Sequence, residues 1–141
     1  MIYTPMTKLA MKIAYEAHLH QLDKSGIPYI YHPMMVACNQ EDEMSTSAAL
    51  LHDVVEDTNI TLEELSKHFP SEVIEALSLL THDDKEDYFA YIARIKSNSI
   101  ARNVKLADLK HNSDLNRLDK IDEKSLDRMK KYEKAMKILT E

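Results

Sequence analysis

The sequence is poor in residues that break helices and in the residue that forms disulfides. Its 141 residues include one Gly, four Pro and a single Cys, Cys38. So few breakers favour helices over the many tight turns of an all-β fold. One cysteine excludes an intrachain disulfide and a zinc site built from several thiolates. A lone cysteine can be a nucleophile, but within the run Val-Ala-Cys we expect Cys38 to be a small core residue.

The sequence also lacks long apolar runs and an excess of positive charge. No run approaches the ~20 apolar residues of a membrane span, and the N-terminus has no signal-peptide hydrophobic region. We therefore expect a cytoplasmic protein that does not bind a membrane. The formal net charge of -6 argues against a nucleic-acid polymer as partner. It still allows a small anionic ligand, because a metal ion or a few basic residues can reverse the potential within one cleft.

What the sequence does contain is an ordinary globular composition, with 44% hydrophobic and 30% charged residues. Its length predicts a single domain, residues 1–141, that is large enough to bury a core. Apolar residues recur at helical spacing along the chain, and Pro5, Pro33 and Pro70 stand where helices are expected to begin. The sequence therefore predicts an all-α bundle of about seven to nine helices.

One apolar segment carries four ionisable side chains. Residues 48–58, AALLHDVVEDT, include His52, Asp53, Glu56 and Asp57. If the segment is one helix, His52 and Glu56 share a face and the two aspartates share the adjacent face. Burying such a helix is costly unless something pairs the charges, and a divalent metal ion can do so. For histidine and carboxylate ligands, Mn²⁺, Fe²⁺, Zn²⁺ and Ni²⁺ are all chemically possible.

Two other segments offer polar residues to the same site. His32 comes just before a proline, at the start of a predicted helix, where its side chain can turn inward. In the helix predicted over residues 100–112, the spacing of Lys105, Asp108 and Asn112 forms one polar stripe. A lone aspartate in a helix is usually exposed. A cation, an acid and an amide on one stripe indicate part of a site instead.

Three further histidines are interpreted as ordinary surface residues. His18 and His20 lie near the end of the first predicted helix, where histidines commonly compensate the helix dipole. His82 lies in a polar loop beside Asp83 and Asp84. Adjacent acids in a loop are usually solvated, so we do not expect His82 to be a metal ligand.

Three segments, in this order, resemble the HD-domain hydrolases of the RelA/SpoT type, and most closely the small stand-alone hydrolases built from that domain alone. They are DKSGIPYIYHP at 23–33, HDVVEDT at 52–58 and VKLADLKHN at 104–112. The resemblance covers about residues 14–117. It implies an all-helical HD-domain bundle that binds one divalent metal ion, typically manganese. It also implies removal of the 3′-pyrophosphate from the alarmone (p)ppGpp, a small nucleotide.

The same resemblance implies a role for each matching residue. The roles are metal ligation, action on the nucleophilic water, and contact with the substrate. The implied metal ligands are His32, His52, Asp53 and Asp108; the water residues are Glu56 and Asp57; and the implied substrate contacts are Lys105 and Asn112. The Asn112 match contacts the nucleotide sugar, and Lys105 contributes to phosphate binding or to local structure.

The sequence departs from the family pattern where the substrate is bound. Family members often carry an Arg-Lys pair before the loop, and Gln21 and Leu22 stand in those places. Lys24 is the expected substitute, although an ammonium does not reproduce a bidentate guanidinium. Leu109 stands where a basic residue is usual, and Leu115 where Thr or Asp is common. The sequence thus predicts intact metal and water machinery with altered substrate recognition.

Three hypotheses follow. The leading one is a metal-dependent (p)ppGpp 3′-pyrophosphohydrolase, with another small nucleotide or phosphorylated metabolite as the variant substrate. The second is a nucleotide sensor without turnover, against which the retained Glu56 and Asp57 argue. The third is a purely structural metal site, whose loss would unfold the protein. An oligomer is possible in each case, because the helices around Met34, Met35 and Met136 can form an interface.

Overall fold

The computed structural model describes residues 1–141 and consists of nine α-helices and one short 3₁₀ helix. The α-helices are α1 (Pro5–Ala17), α2 (Tyr31–Cys38), α3 (Glu43–Leu51), α4 (Val54–Asp57), α5 (Leu62–Ser66), α6 (Ser71–Leu80), α7 (Tyr88–Ile95), α8 (Ser99–Asn112) and α9 (Glu123–Thr140). The 3₁₀ helix is Leu115–Arg117. The prediction of an all-α fold with seven to nine helices is confirmed.

Side-chain caps define where many of the helices begin. Thr4, Asp42, Thr61, Asn98 and Asp122 precede α1, α3, α5, α8 and α9, and each accepts a hydrogen bond from a backbone N–H of the first turn. Such caps satisfy donors that have no partner within the helix. Asp42 therefore marks the start of α3.

Helix α3 lies at the centre of the bundle. It packs against α1, α2, α6 and α8, and all its residues from Ser45 to Leu51 are buried. Small Ser, Thr and Ala side chains allow these neighbours to approach from every side. Because α3 is surrounded, its C-terminal end lies deep in the protein, and His52 and Asp53 follow there.

The prediction of one continuous helix over residues 48–58 is wrong. Helix α3 ends at Leu51, His52 and Asp53 form a turn, and α4 is a separate helical turn. Adjacent side chains on one helix point about 100° apart. Despite this divergence, Nε2 of His52 and Oδ2 of Asp53 come within 3.1 Å.

Two side chains are placed differently from the prediction. Cys38 is exposed, because α2 packs through Val36 and Ala37 and its last residue faces solvent. His18 is buried, with 1% of its surface exposed, because α1 ends at Ala17 and the chain turns inward over it. None of the helices combines the length and apolar character needed to cross a membrane.

Candidate functional site

Four side chains from three parts of the chain meet where α3 ends. His32 comes from the first turn of α2, His52 and Asp53 from the turn after α3, and Asp108 from α8. Nε2 of His32 lies 2.8 Å from Oδ1 of Asp108 and 3.8 Å from Oδ2 of Asp53. Nε2 of His52 lies 3.5 Å from Oδ1 of Asp108. The structure therefore brings the four expected metal ligands into one cluster, named here the His/Asp cluster.

The hydrogen bonding of His52 leaves one nitrogen directed at the carboxylates. Its Nδ1 lies 2.5 Å from the carbonyl oxygen of Ala49, which only accepts, so Nδ1 carries a proton. Its Nε2 is buried and has no partner in hydrogen-bonding geometry. Ligand atoms of His32, His52 and Asp53 lie within 4.8 Å of one another. Imidazole nitrogens and carboxylate oxygens converging in this way fit a divalent metal ion.

His32 is oriented by His111, a residue that the sequence analysis missed. Their Nδ1 atoms are 2.8 Å apart, and the ring planes differ by only 12°, so the two imidazoles are hydrogen-bonded edge to edge. Burial, followed by the charges of Arg117 and His32, lowers the pKa of His111 to about 4. A neutral His111 can accept from Nδ1 of His32, which leaves Nε2 of His32 for a metal ion. The sequence feature that could have indicated this role is the position of His111, three residues after Asp108.

The two aspartates are also held by other side chains. The hydroxyl of Tyr29 donates a short hydrogen bond to Oδ2 of Asp53, and burial raises the pKa of Tyr29 far above its usual value, so it remains a donor. Nζ of Lys105 lies 2.8 Å from Oδ2 of Asp108, and Nδ2 of Asn112 donates to its Oδ1 at 3.0 Å. The polar stripe on α8 thus converges on Asp108.

Electrostatics keep these carboxylates ionised. Burial acts to raise the pKa of Asp53, but His52 overcomes it and lowers that pKa to about 2. Burial likewise opposes ionisation of Asp108, but Lys105 and the two histidines hold its pKa well below the usual range. Burial lowers the pKa of His52, whereas Asp53 and Asp108 outweigh this effect and raise it. A metal ion therefore competes with a proton for Nε2 of His52, as is usual for histidine ligands.

Glu56 and Asp57 lie on α4, at the solvent-exposed edge of the His/Asp cluster. Oε1 of Glu56 accepts from the backbone N–H of His82 at 3.0 Å, and Oδ2 of Asp57 accepts from Nε2 of Gln21 at 3.1 Å. Partial burial raises the pKa of both carboxyls, and the charge of Asp53 adds to this effect. A raised carboxyl pKa suits a group that takes up a proton near neutral pH.

The loop of residues 81–87 is fixed by Arg94, and this fixes the partner of Glu56. The guanidinium of Arg94 donates to the carbonyls of Leu79 and Thr81 and to both carboxylate oxygens of Glu86, at 2.7 to 3.1 Å. His82 contributes its backbone N–H to Glu56, while its Nε2 contacts the carbonyl of Glu86 at 3.0 Å. No side-chain pattern could have indicated a role played by a backbone group.

A cleft with a volume of about 280 Å³ lies next to the His/Asp cluster. Tyr29 and Asn112 belong to both, since they line the cleft and hydrogen-bond to the aspartates. The cleft is lined by three cations and two carboxylates, so a small excess of positive charge remains: Lys24, Arg117 and Arg128 against Asp23 and Asp114. Partial burial and the nearby Arg128 lower the pKa of Lys24, as expected where cations gather. Such a cleft suits a small molecule that carries phosphate groups.

The positions that depart from the family pattern divide into two groups. Gln21, Leu22 and Leu115 line the cleft. Leu109 instead belongs to the hydrophobic core, with 1% of its surface exposed. The expectation that Leu109 helps to decide substrate identity is therefore wrong, because a side chain enclosed by the core cannot contact a ligand.

Comparison with known proteins identifies the family to which this fold and site belong. Residues 10–134 match the family described as HD domain. The chain belongs to the HD-domain family. The resemblance found in the three sequence motifs is thereby confirmed. An HD domain implies a divalent metal ion, and the His/Asp cluster is the candidate site for it.

Named relatives agree with this assignment. The HD-domain chain is 45% identical over 80 residues to guanosine-3′,5′-bis(diphosphate) 3′-pyrophosphohydrolase of Borreliella burgdorferi. That match covers 52% of this chain and 12% of the relative. It is 34% identical over 118 residues to bifunctional (p)ppGpp synthase/hydrolase SpoT of Escherichia coli. That match covers 73% of this chain and 17% of the relative. The chain thus spans less than a fifth of the length of these two relatives.

A solved structure matches nearly the whole fold. It is described as a metazoan ortholog of SpoT that hydrolyses ppGpp and plays a role in starvation responses. The TM-score is 0.82 at 25% sequence identity, and the match covers 99% of this chain and 88% of the other. The two chains therefore share a similar helical fold over nearly the whole of this chain.

Proposed function

We propose that this HD-domain chain is a metal-dependent (p)ppGpp 3′-pyrophosphohydrolase that acts on its small nucleotide substrate in the cytoplasm. The observation that carries the proposal is the placement of Glu56 and Asp57. They follow the His/Asp cluster by one helical turn, and Asp57 is joined through Gln21 to the cationic cleft. Residues 1–141 form one HD domain in this proposal, since α1, α3, α6, α8 and α9 all contribute to one core.

The proposed metal ligands are His32, His52, Asp53 and Asp108, and the proposed metal is Mn²⁺. Two imidazoles and two carboxylates can hold several first-row divalent metals, and Mn²⁺ is chosen because it is typical of the hydrolases that the three sequence motifs resemble. When bound, the metal supplies positive charge that acidifies water and polarises a phosphoryl oxygen. The protein's part is to hold the ligands, through the side chains of His111, Tyr29 and Lys105 and the carbonyl of Ala49.

Glu56 and Asp57 orient the attacking water and take up its proton. Each has a fixed hydrogen-bond donor, the backbone of His82 for Glu56 and the amide of Gln21 for Asp57. Both carboxyls have raised pKa values, which strengthens them as proton acceptors. In the reaction, water adds to the phosphorus that carries the 3′ oxygen, and the bond between that phosphorus and the 3′ oxygen breaks. The 3′ oxygen takes up a proton to become a hydroxyl, and pyrophosphate is released.

Substrate contacts are assigned by exposure. Lys24 lies on the cleft and is assigned to a phosphate group, and Asn112 lies at its inner end and is assigned to the sugar. Lys105 is paired with Asp108 and mostly buried, so we assign it to local structure rather than to phosphate. Arg128 lines the same cleft, and its only hydrogen bond is a long one, 3.4 Å to Oγ of Ser125. It is available for a second phosphate group.

The decisive experiment is a substrate panel with the manganese-loaded protein. It includes (p)ppGpp, nucleoside triphosphates and nucleoside monophosphates, and the products are identified. We expect pyrophosphate and the 5′-diphosphate or 5′-triphosphate from (p)ppGpp, and little product from the others. The enzyme hypothesis fails if no nucleotide in the panel is hydrolysed. Binding of (p)ppGpp measured by calorimetry, without product, would instead identify a sensor.

A further inference from the structure

The carboxylate of Asp57 is held by a chain of side-chain hydrogen bonds that begins in the core. Nδ1 of His18 lies 2.7 Å from Oε1 of Gln21, and Nε2 of Gln21 lies 3.1 Å from Oδ2 of Asp57. His18 is buried, whereas Asp57 is exposed. The chain therefore links an exposed carboxylate to an immobile residue.

Chemistry fixes the direction of each bond in this chain. A carboxylate only accepts, so the amide nitrogen of Gln21 must face Asp57 and the amide oxygen must face His18. Nδ1 of His18 is then the donor. Its other nitrogen, Nε2, is buried without a partner. An imidazole protonated at Nδ1 alone fits this arrangement, since a protonated Nε2 would be a buried donor without an acceptor.

Packing ties the same chain to the His/Asp cluster. The ring of His18 packs against Tyr29, with centroids 5.1 Å apart, and Tyr29 donates to Asp53. A single pair of aromatic rings thus supports both a proposed metal ligand and a proposed proton acceptor. A shift of His18 would disturb the spacing between Asp53 and Asp57.

We propose that Gln21 is a positioning residue for Asp57 and that His18 holds Gln21 in the required orientation. The inference rests on the proposed function, because it assigns the carboxylate of Asp57 to proton uptake from the attacking water. Reactions of this kind are sensitive to small displacements of a catalytic group. The amide of Gln21 prevents the exposed carboxylate from rotating away. Gln21 is thus part of the water machinery rather than a lost substrate contact.

Gln21 also lines the cleft, so direct contact with the substrate is the competing explanation. The two roles differ in kinetics. A lost substrate contact raises KM, whereas a misplaced Asp57 lowers kcat. They also differ in coupling, since a residue that acts only through Asp57 has no effect once Asp57 is removed.

The kinetic test uses Gln21→Met, which keeps the shape and removes both hydrogen bonds. We expect kcat for (p)ppGpp to fall about 10- to 100-fold while KM changes less than about twofold. Mn²⁺ affinity should stay at the wild-type value. In an Asp57→Ala background, Gln21→Met should cause no further loss. A raised KM with unchanged kcat, or fully additive losses, would overturn the proposal.

His18 provides a rescue experiment. His18→Asn places an amide donor near the position of Nδ1, although it loses the ring contact with Tyr29, and it should retain a higher kcat than His18→Phe. His18→Phe keeps an aromatic ring against Tyr29 without the donor and should lose kcat to the same degree as Gln21→Met. Equal kcat values for the two His18 variants, with both proteins folded, would show that the hydrogen bond has no positioning role.

A readout independent of turnover is the side-chain amide of Gln21 in a ¹H–¹⁵N NMR spectrum. The chain has one other glutamine, Gln40, whose amide donates to the carbonyl of Val36 at 3.1 Å and serves as the internal control. Asp57→Ala and His18→Phe should both shift the Gln21 amide signals and leave those of Gln40 in place. If the wild type hydrolyses no nucleotide, the proposed function fails, and these spectra still decide whether Gln21 holds Asp57. Unmoved Gln21 signals would overturn the inference.

Discussion

The His/Asp cluster and the cationic cleft adjoin each other, yet they are built in opposite ways. His32, His52 and Asp108 are at most 5% exposed, and each is held by a further hydrogen bond or ion pair. In the cleft, Lys24 is exposed and Arg128 makes only a long contact to Ser125. The metal-binding side is thus preorganised, whereas the substrate-binding side has freedom to adapt. Substitutions should act through stability and chemistry on the first side and through affinity on the second.

The largest expected effect is that of Asp108→Ala on stability. Removing this partner leaves the mostly buried Lys105 with an unpaired charge, which destabilises proteins by about 3–5 kcal/mol. Chemical denaturation would measure this loss, and calorimetry should show that Mn²⁺ binding is lost as well. The matched control is the double variant Asp108→Ala/Lys105→Met, which should regain stability without regaining metal binding. A stable Asp108→Ala protein would contradict the description of this side as preorganised.

The next effect concerns turnover alone. Glu56→Gln keeps the size of the side chain and removes its basicity, so kcat should fall about 10²- to 10⁴-fold. Mn²⁺ binding should persist, in contrast to Asp53→Ala, which should abolish it. Steady-state kinetics with (p)ppGpp and calorimetry with Mn²⁺ measure the two properties. Glu63→Gln, at an exposed position on α5, is the control and should behave as wild type.

The third prediction concerns pH. The folded-state pKa of Glu56 is raised by burial and by Asp53. As a base it is active when ionised, so activity is lost as pH falls through that raised pKa. A raised carboxyl pKa also means that the folded state binds the proton more tightly than the unfolded chain. Its contribution to stability is therefore lost as pH rises through the same value.

Activity and stability should therefore respond to pH in opposite directions at this one group. The measurements are the pH profile of kcat/KM and the thermal midpoint across pH 4 to 8, each compared with Glu56→Gln. In each measurement, the difference between wild type and Glu56→Gln gives the contribution of the Glu56 carboxyl. An acid limb that stays at the same pH in active Gln21 variants but moves with Glu56 would assign it to the Glu56 carboxyl.

The smallest expected effects are those of Lys24→Met and Arg128→Met. Each removes one positive charge from the cleft, so KM for (p)ppGpp should rise about 3- to 10-fold with little change in kcat. The rise should shrink at high salt, because salt screens exposed charges. Lys67→Met, at an exposed position outside the cleft, should leave KM unchanged. A loss of stability in either cleft variant would contradict the expectation that substitutions in the cleft act through affinity alone.

Sequence reasoning was most successful where short-range rules decide structure. The scarcity of glycine and proline and the helical spacing of apolar residues predicted an all-α fold, and nine α-helices are present. The spacing of Lys105, Asp108 and Asn112 placed them on one face, and all three are joined by hydrogen bonds. His32 was expected to turn inward, and it is buried. Each of these features depends on residues within one helix.

Features set by long-range packing escaped prediction. The break after Leu51 lies within an apolar, helix-favouring run, and local propensity does not indicate it. Cys38 is exposed because of the face that α2 presents to its neighbours. Tyr29 and His18 gain their roles only when the loop after α1 folds over the turn after α3. The distances between such residues, which lie far apart in the chain, cannot be predicted from a single sequence.

The bond between Glu56 and residue 82 has a consequence for mutational tolerance. Since the donor is a backbone N–H, the identity of the side chain at position 82 does not enter the contact. Saturation mutagenesis at this position should return active variants with many different side chains, although each loses the contact of His82 Nε2 with the carbonyl of Glu86. Proline is the exception, because it alone has no N–H to offer. In a set of related sequences, position 82 would look variable although it supports a residue of the proposed chemistry.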